Sequence, residues 1–152
     1  MKYLFFAFVF LFITNTNAQT EAETQVKQTI ERFFEGFHKQ DTTIMKSLIY
    51  KEMKLQSIGK NKEGIVQLIT TKTSDFIKSI ASIPKDQKFE EKLLSFNIQI
   101  DGNMANVWTK YEFWFNEQFS HCGVNSFQLI KEDDNWKIFY LVDTRRRKGC
   151  QE

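Results

Sequence analysis

Residues 123–145 read GVNSFQLIKEDDNWKIFYLVDTR, and the fold turns on them. Two runs rich in branched and aromatic residues flank the turn-forming segment EDDN, the pattern of an antiparallel hairpin. With Asp133, Asp134 and Asn135 as a three-residue turn, Glu132 faces Trp136, Leu129 faces Phe139, Phe127 faces Leu141, Asn125 faces Asp143 and Gly123 faces Arg145. One side of the hairpin then carries His121, Asn125, Phe127, Leu129, Phe139, Leu141, Asp143 and Arg145. It is apolar at one end and gathers an imidazole, an amide, a carboxylate and a guanidinium at the other, which is how the wall of a ligand pocket is built. A different turn length would break this register. The bland alternative is an Asp143–Arg145 surface pair at a strand end, of little energetic weight, with His121 on an exposed loop.

Working outward, FEEKLLSFNIQI (residues 89–100) and NMANVWTKYEFWF (103–115) have the same strand-like composition, with DGN between them as a turn. Strands so close in sequence predict an antiparallel meander. Tyr111 offers a hydroxyl to the polar end of the pocket face, with a core or dimer-face role for it and Trp114 as the alternative.

Upstream of the only proline, Pro84, the period is helical. Val26, Ile30, Phe33, Phe34 and Phe37 form one stripe from Glu21 onward. Asp41 is an N-cap for a short second helix carrying Ile44, Met45, Leu48 and Ile49. SIGKNKEG (57–64) is a loop by composition, and Ile65, Leu68, Ile69, Phe76, Ile77 and Ile80 predict a third helix closed by Pro84. Helices followed by strands give an α+β domain with helices covering one face of an antiparallel sheet.

The N-terminus, MKYLFFAFVFLFITNTNAQ, has one lysine, an apolar run from Leu4 to Ile13, and small and polar residues ending at Ala18. This is the form of a secretory signal, and the run is about half the ~20 residues of a spanning helix. Residues 1–18 are therefore expected to be removed near Ala18, leaving residues 19–152 as one domain, periplasmic or secreted, with no membrane attachment in the mature form. The formal net charge of +2 argues against nucleic acid as a partner, since its binders concentrate positive charge on one face.

The order of these elements resembles the nuclear transport factor 2-like superfamily, the SnoaL-like group of cone-shaped α+β domains. The resemblance lies in VKQTIERFFEGFHKQD, ANVWTKYEFWF and FSHCGVNSFQLIKEDDNWKIFYLVDTRRRKGC, and covers the chain from about Val26 to Cys150. It is similar to a bacterial exported subset. The resemblance implies a strongly curved sheet around a cone-shaped pocket, in many members a homodimer formed through the sheet. It implies no single activity, because isomerases, dehydratases, hydrolases and non-catalytic members share the fold.

The candidate ligand-binding residues are Tyr111, His121, Asn125, Asp143 and Arg145, and the candidate catalytic residues are His121 and Asp143. In that reading Asp143 holds Arg145 or orients His121 towards an anionic or carbonyl oxygen. The isomerases of the superfamily draw their carboxylate base from the region that here reads KEMKLQSIG, which offers only Glu52, and Phe33 and Phe34 stand where those enzymes have a donor tyrosine. No metal or other cofactor is expected: His121 and Cys122 are adjacent and point to opposite faces of a strand, and His38 reads as a partner of the first helix's C-terminal end. In the hairpin register Cys122 lies across from Arg146, and Gly149 can turn the chain so that Cys150 reaches it. Export favours a Cys122–Cys150 disulfide, with free thiols as the alternative.

The expected function is binding of a small, partly apolar molecule. The alternatives are an enzyme of the isomerase, dehydratase or hydrolase type using the same pocket, and a dimerising or partner-binding module whose interior is filled by its own aromatics.

Overall fold

A computed structural model describes the backbone of residues 2–150 and the side chains of residues 19–150. The expected secretory signal, residues 1–18, falls on side chains outside that set. Among the described residues the order is α1 (Lys2–His38), α2 (Thr42–Ser47), β1 (Ile49–Lys60), β2 (Val66–Thr71), α3 (Thr73–Ala81), β3 (Phe89–Leu93), β4 (Asn97–Asp101), β5 (Met104–Phe115), β6 (Gln118–Glu132) and β7 (Asn135–Arg146). Among them no helix is long and apolar enough to cross a membrane.

The expected α1 stripe is the core face. Val26, Ile30, Phe33, Phe34 and Phe37 are all buried, and Phe34 meets Phe127 of β6 edge to face, with ring centroids 6.1 Å apart. Asp41 caps α2 as its position predicts, its carboxylate accepting from the amides of Thr43 at 3.0 Å and Ile44 at 3.1 Å. Gly36 lets α2 sit close to α1: a Cβ there would lie 3.0 Å from Ile44 Cγ2.

The sheet order is β2-β1-β7-β6-β5-β3, with β4 also paired to β5. β3 and β4 are successive segments along the same edge of β5, the first against residues 111–115 and the second against 104–108. The architecture is α+β as expected, but two features of the sheet differ. It is mixed, because β1 runs parallel to β7, and it is not strongly curled. Its two ends, β2 and β3, do not meet, and α1 and α3 supply the remaining walls of the interior.

The third expected helix is shorter than its apolar spacing predicted. Residues 49–60 and 66–71 form a hairpin, so the first half of the expected loop, residues 57–60, is strand and helix begins only at Thr73. Ile65, Leu68 and Ile69 are more than half exposed, at 61%, 58% and 53%, with Leu68 and Ile69 on the edge strand. Apolar residues at 65, 68 and 69 fit a helix stripe when read with 76 and 80, but pairing of β2 to β1 overrides that pattern.

The β6–β7 hairpin carries a second correction. The turn is two residues, Asp133 and Asp134, both with positive φ (47° and 61°), so Glu132 faces Asn135 and Leu129 faces Ile138. Phe139 is then an extra residue, a bulge between Ile138 and Tyr140, and from Gln128–Tyr140 onward the expected register holds, including Phe127–Leu141, Asn125–Asp143 and Gly123–Arg145. Ile138, fully buried, takes the core position predicted for Phe139.

Cys122 pairs across the hairpin with Arg146, Gly149 turns with φ +65°, and Cys122 and Cys150 are joined by a disulfide. The bridge closes a loop with a sequence separation of 28, for which loop entropy gives about 3–4 kcal/mol. Cys150→Ser should lower the unfolding free energy by about that amount; denaturant titration with and without reductant checks it, and reductant should leave the variant unchanged.

Candidate functional site

The inward side chains of the sheet lie in rows that cross several strands. One row is apolar: Leu55 of β1, Leu141 of β7, Phe127 of β6 and Val107 of β5 are register partners in turn, and all four are buried. The next row, two residues along, is polar across the same strands: Ser57, Asp143, Asn125 and Thr109. The third joins Arg145, Gly123, Tyr111 and Leu93, and the fourth His121, Phe113 and Glu91. Period-two alternation thus grades one face from apolar to charged.

These rows wall a cavity of about 370 Å³. Its apolar side is made by Phe33, Phe34 and Phe37 of α1, Phe76 and Ile80 of α3, and Leu55 and Leu141. Its polar end holds Ser57, Glu91, Tyr111, His121, Asn125, Asp143 and Arg145. All five residues predicted for ligand binding, Tyr111, His121, Asn125, Asp143 and Arg145, line this one space.

Asp143 is the most constrained of them. It is 6% exposed, and both of its oxygens are engaged: Oδ1 accepts from the Ser57 hydroxyl and Oδ2 from Arg145 Nε at 2.8 Å. The pair is not a surface ion pair, since the carboxylate is buried even though the Arg145 side chain is 62% exposed at the cavity mouth. A buried carboxylate needs such donors, because removing one would leave a desolvated charge.

Tyr111 is fixed as well. Its hydroxyl donates to the carbonyl of Thr144 at 2.9 Å, two strands away, and it can cross there only because residue 123 is glycine. A Cβ on Gly123 would stand 1.8 Å from that carbonyl oxygen and 2.8 Å from the tyrosine hydroxyl. Burial, with the charges of Glu91 and Asp143, pushes the Tyr111 phenol well above its ordinary range. His121 lies on β6, not on a loop. It stacks on Phe113 with ring centroids 4.9 Å apart, its Nδ1 is 3.1 Å from Ser120 Oγ, and burial, then the Arg145 charge, lowers its pKa, so the ring is neutral at pH 7.

Glu91 and Ser57 complete the site and were not among the predicted residues. Glu91 lies on β3 between the inward-facing Phe89 and Leu93. Its Oε1 accepts from Asn125 Nδ2 at 2.6 Å, and burial, opposed by that hydrogen bond and reinforced by the charge of Asp143, pushes its carboxyl from the ordinary 4.5 up to about 7. The sequence signal was a carboxylate at an inward position of an otherwise apolar alternation. Glu52, the carboxylate weighed from sequence, is exposed on β1 and does not line the cavity. His38, expected to serve the C-terminal end of α1, instead accepts the backbone N–H of Glu91 through Nε2 at 2.9 Å, with its pKa lowered by burial. It therefore anchors the strand that carries Glu91. Among the described residues no group of three His, Cys, Asp or Glu side chains is placed to hold a metal ion.

The sequence profile of the family described as "Putative lumazine-binding" matches residues 21–141. The chain belongs to that family. Its fold is that of the nuclear transport factor 2-like superfamily. Among solved structures, a superfamily protein from Salmonella enterica is 18% identical with a TM-score of 0.66, over 86% of this chain and 95% of that one. A nuclear transport factor 2-like protein with a cystatin-like fold from Novosphingobium aromaticivorans is 11% identical with a TM-score of 0.69, over 90% and 89%. One of unknown function from Shewanella baltica is 14% identical with a TM-score of 0.63, over 85% and 97%. At these identities the likeness is one of fold. No curated protein matches the chain.

The Gly123–Tyr111 crossing should be intolerant of side chains. Gly123→Ala is expected to cost about 2–3 kcal/mol by forced displacement, against about 1 kcal/mol for Tyr111→Phe, which removes only the hydrogen bond. Chemical denaturation measures both, and equal losses would contradict the steric account.

Proposed function

We propose that this protein is an exported domain that binds one small, partly apolar molecule in the 370 Å³ cavity. The observation that carries the reading is the composition of that space: phenylalanine and leucine side chains in depth, and convergent carboxyl, amide, imidazole and guanidinium groups at one end. An open interior of this size weighs against a domain filled by its own aromatics. The family description supports a heterocyclic ligand and makes lumazine the first compound to try.

Calorimetric titration with lumazine should saturate at one molecule per chain. Ser79 lines the cavity from the exposed side of α3, so Ser79→Trp should fill the space at little cost to the core and weaken binding about tenfold or more, as filling a preformed pocket does. No binding of lumazine, together with no retained molecule in native mass spectra of protein purified from its own compartment, would sink the proposal.

A second reading, catalysis in the same pocket, is favoured by one observation, the carboxyl of Glu91 raised to about 7 inside the cavity. It moves the proton-carrying role away from His121 and Asp143, since His121 is neutral and stacked and both Asp143 oxygens already accept hydrogen bonds. The homodimer is also part of the proposal, supported by the outward-facing Met104 and Trp108, each about half exposed on β5. Sedimentation should detect a dimer that Trp108→Glu converts to monomer.

A further inference from the structure

The charges at the polar end of the cavity are unequal in freedom. Asp143 and Arg145 are paired at 2.8 Å and cancel, and His121 is neutral. Glu91 is the remaining ionisable carboxyl there: its Oε1 accepts from Asn125, and Oε2 makes no hydrogen bond to any described residue. Its state therefore sets the charge that a ligand meets.

We propose that the Glu91 carboxyl determines the specificity of this cavity, and that it recognises an uncharged planar molecule through a cyclic-amide edge, a carbonyl beside an N–H. The inference rests on the binding reading above and names the ligand's polar edge.

A carboxylic acid presents an O–H donor and a carbonyl acceptor side by side, the complement of a lactam. Oε1 has two lone pairs, one for Asn125 and one for a ligand N–H, while the Oε2 hydroxyl donates to the ligand carbonyl. An anionic ligand fits worse, because Arg145, the one cation among the described residues that line the cavity, is already paired to Asp143, and a second negative charge would face that carboxylate. A wholly apolar ligand would leave the acid unpaired in a water-poor space. The groups facing Glu91 are consistent with a retained proton. Asp143 on β7 raises its pKa and Arg145 beside it lowers it, Asn125 donates from β6, and burial is the largest influence. Tyr111 of β5 and His121 of β6 bring no charge at neutral pH, and His38 of α1 takes its backbone amide. The α1 residues lining the cavity, Phe33, Phe34 and Phe37, are uncharged.

The sign of the pH dependence follows. Glu91 is raised from 4.5 to about 7 in the folded protein, so its donor is present below that value and lost as pH rises through it.

The test is calorimetric titration of the full chain with three bicyclic probes of similar size: 2-quinolone, which carries the lactam edge; naphthalene, which has no polar edge; and 2-naphthoate, an anion. At about pH 6, 2-quinolone should bind about tenfold more tightly than naphthalene, the difference one good hydrogen-bonded edge makes, and the advantage should vanish at about pH 9, where Glu91 is ionised. Glu91→Gln keeps a donor and an acceptor without the charge, so it should retain the preference at both pH values. Glu91→Ala should lose it at both. Preference for 2-naphthoate, a pH-independent 2-quinolone affinity in the unmodified protein, or Glu91→Gln behaving like Glu91→Ala would each overturn the proposal. Naphthalene binding without any preference for 2-quinolone, or failure of every probe, overturns this inference alone; absence of lumazine binding and of any retained molecule as well overturns the cavity-binding reading with it. Circular dichroism reports folding of the variants, and should Glu91→Ala not fold, the pH comparison and Glu91→Gln decide the matter.

Discussion

A carboxylate buried in the middle of a sheet is the constraint on which the rest of this structure depends. Asp143 sits one row beyond the apolar tier of Leu55, Leu141, Phe127 and Val107, where a bare charge would be strongly destabilising. It is tolerated because two donors reach it from different places in the chain. Arg145 comes from the same strand face two residues on, and Ser57 from a strand 86 residues earlier that runs parallel to β7. The parallel pairing is thus more than a topological detail. A shift of β1 by one residue would turn Ser57 to the opposite face of the sheet and bring Gln56 or Ile58 against Asp143.

Satisfying Asp143 also fixes its neighbours. Thr144, next to it and facing the other way, carries the carbonyl that Tyr111 reaches across Gly123. Cys122, adjacent to that glycine, is clipped to Cys150, so the end of β7 is fastened covalently to β6 within a few residues of the site. Packing, hydrogen bonding and the disulfide all act on the same two strands, which places the polar end of the cavity on the least yielding part of the sheet.

How much of this the sequence disclosed can be argued residue by residue. The face of the last hairpin was legible because its apolar residues alternate with period two and EDDN marks the turn. Even so, a two-residue turn and a bulge at Phe139 replaced the three-residue turn, and the two differences cancel beyond Gln128, which is why Asn125, Asp143, Gly123 and Arg145 were placed correctly. The stretch around Ile65, Leu68 and Ile69 was not legible, since so short an apolar set fits either period and only pairing to β1 decides it. Ser57 was hidden for a related reason: parallel pairing joins segments far apart, and no local signal gives its register. Glu91 was nearly readable. Of the adjacent Glu90 and Glu91, the alternation with Phe89 and Leu93 turns Glu91 inward, but that inference requires knowing that β3 covers the cavity rather than ending before it.

The site divides its charged groups by freedom to change state. Asp143 and Arg145 compensate each other within one strand and, with Ser57, form a fixed dipole that shapes the cavity mouth. Glu91 lies on an edge strand, tied by one hydrogen bond to Asn125 and by its backbone amide to His38, and burial rather than a cationic partner governs its proton. A carboxyl governed by desolvation responds to its occupant, because a ligand that expels water raises its pKa further and one that donates to it lowers it. The cavity therefore couples ligand chemistry to protonation at Glu91, an arrangement that a site built on His121 and Asp143 alone would lack.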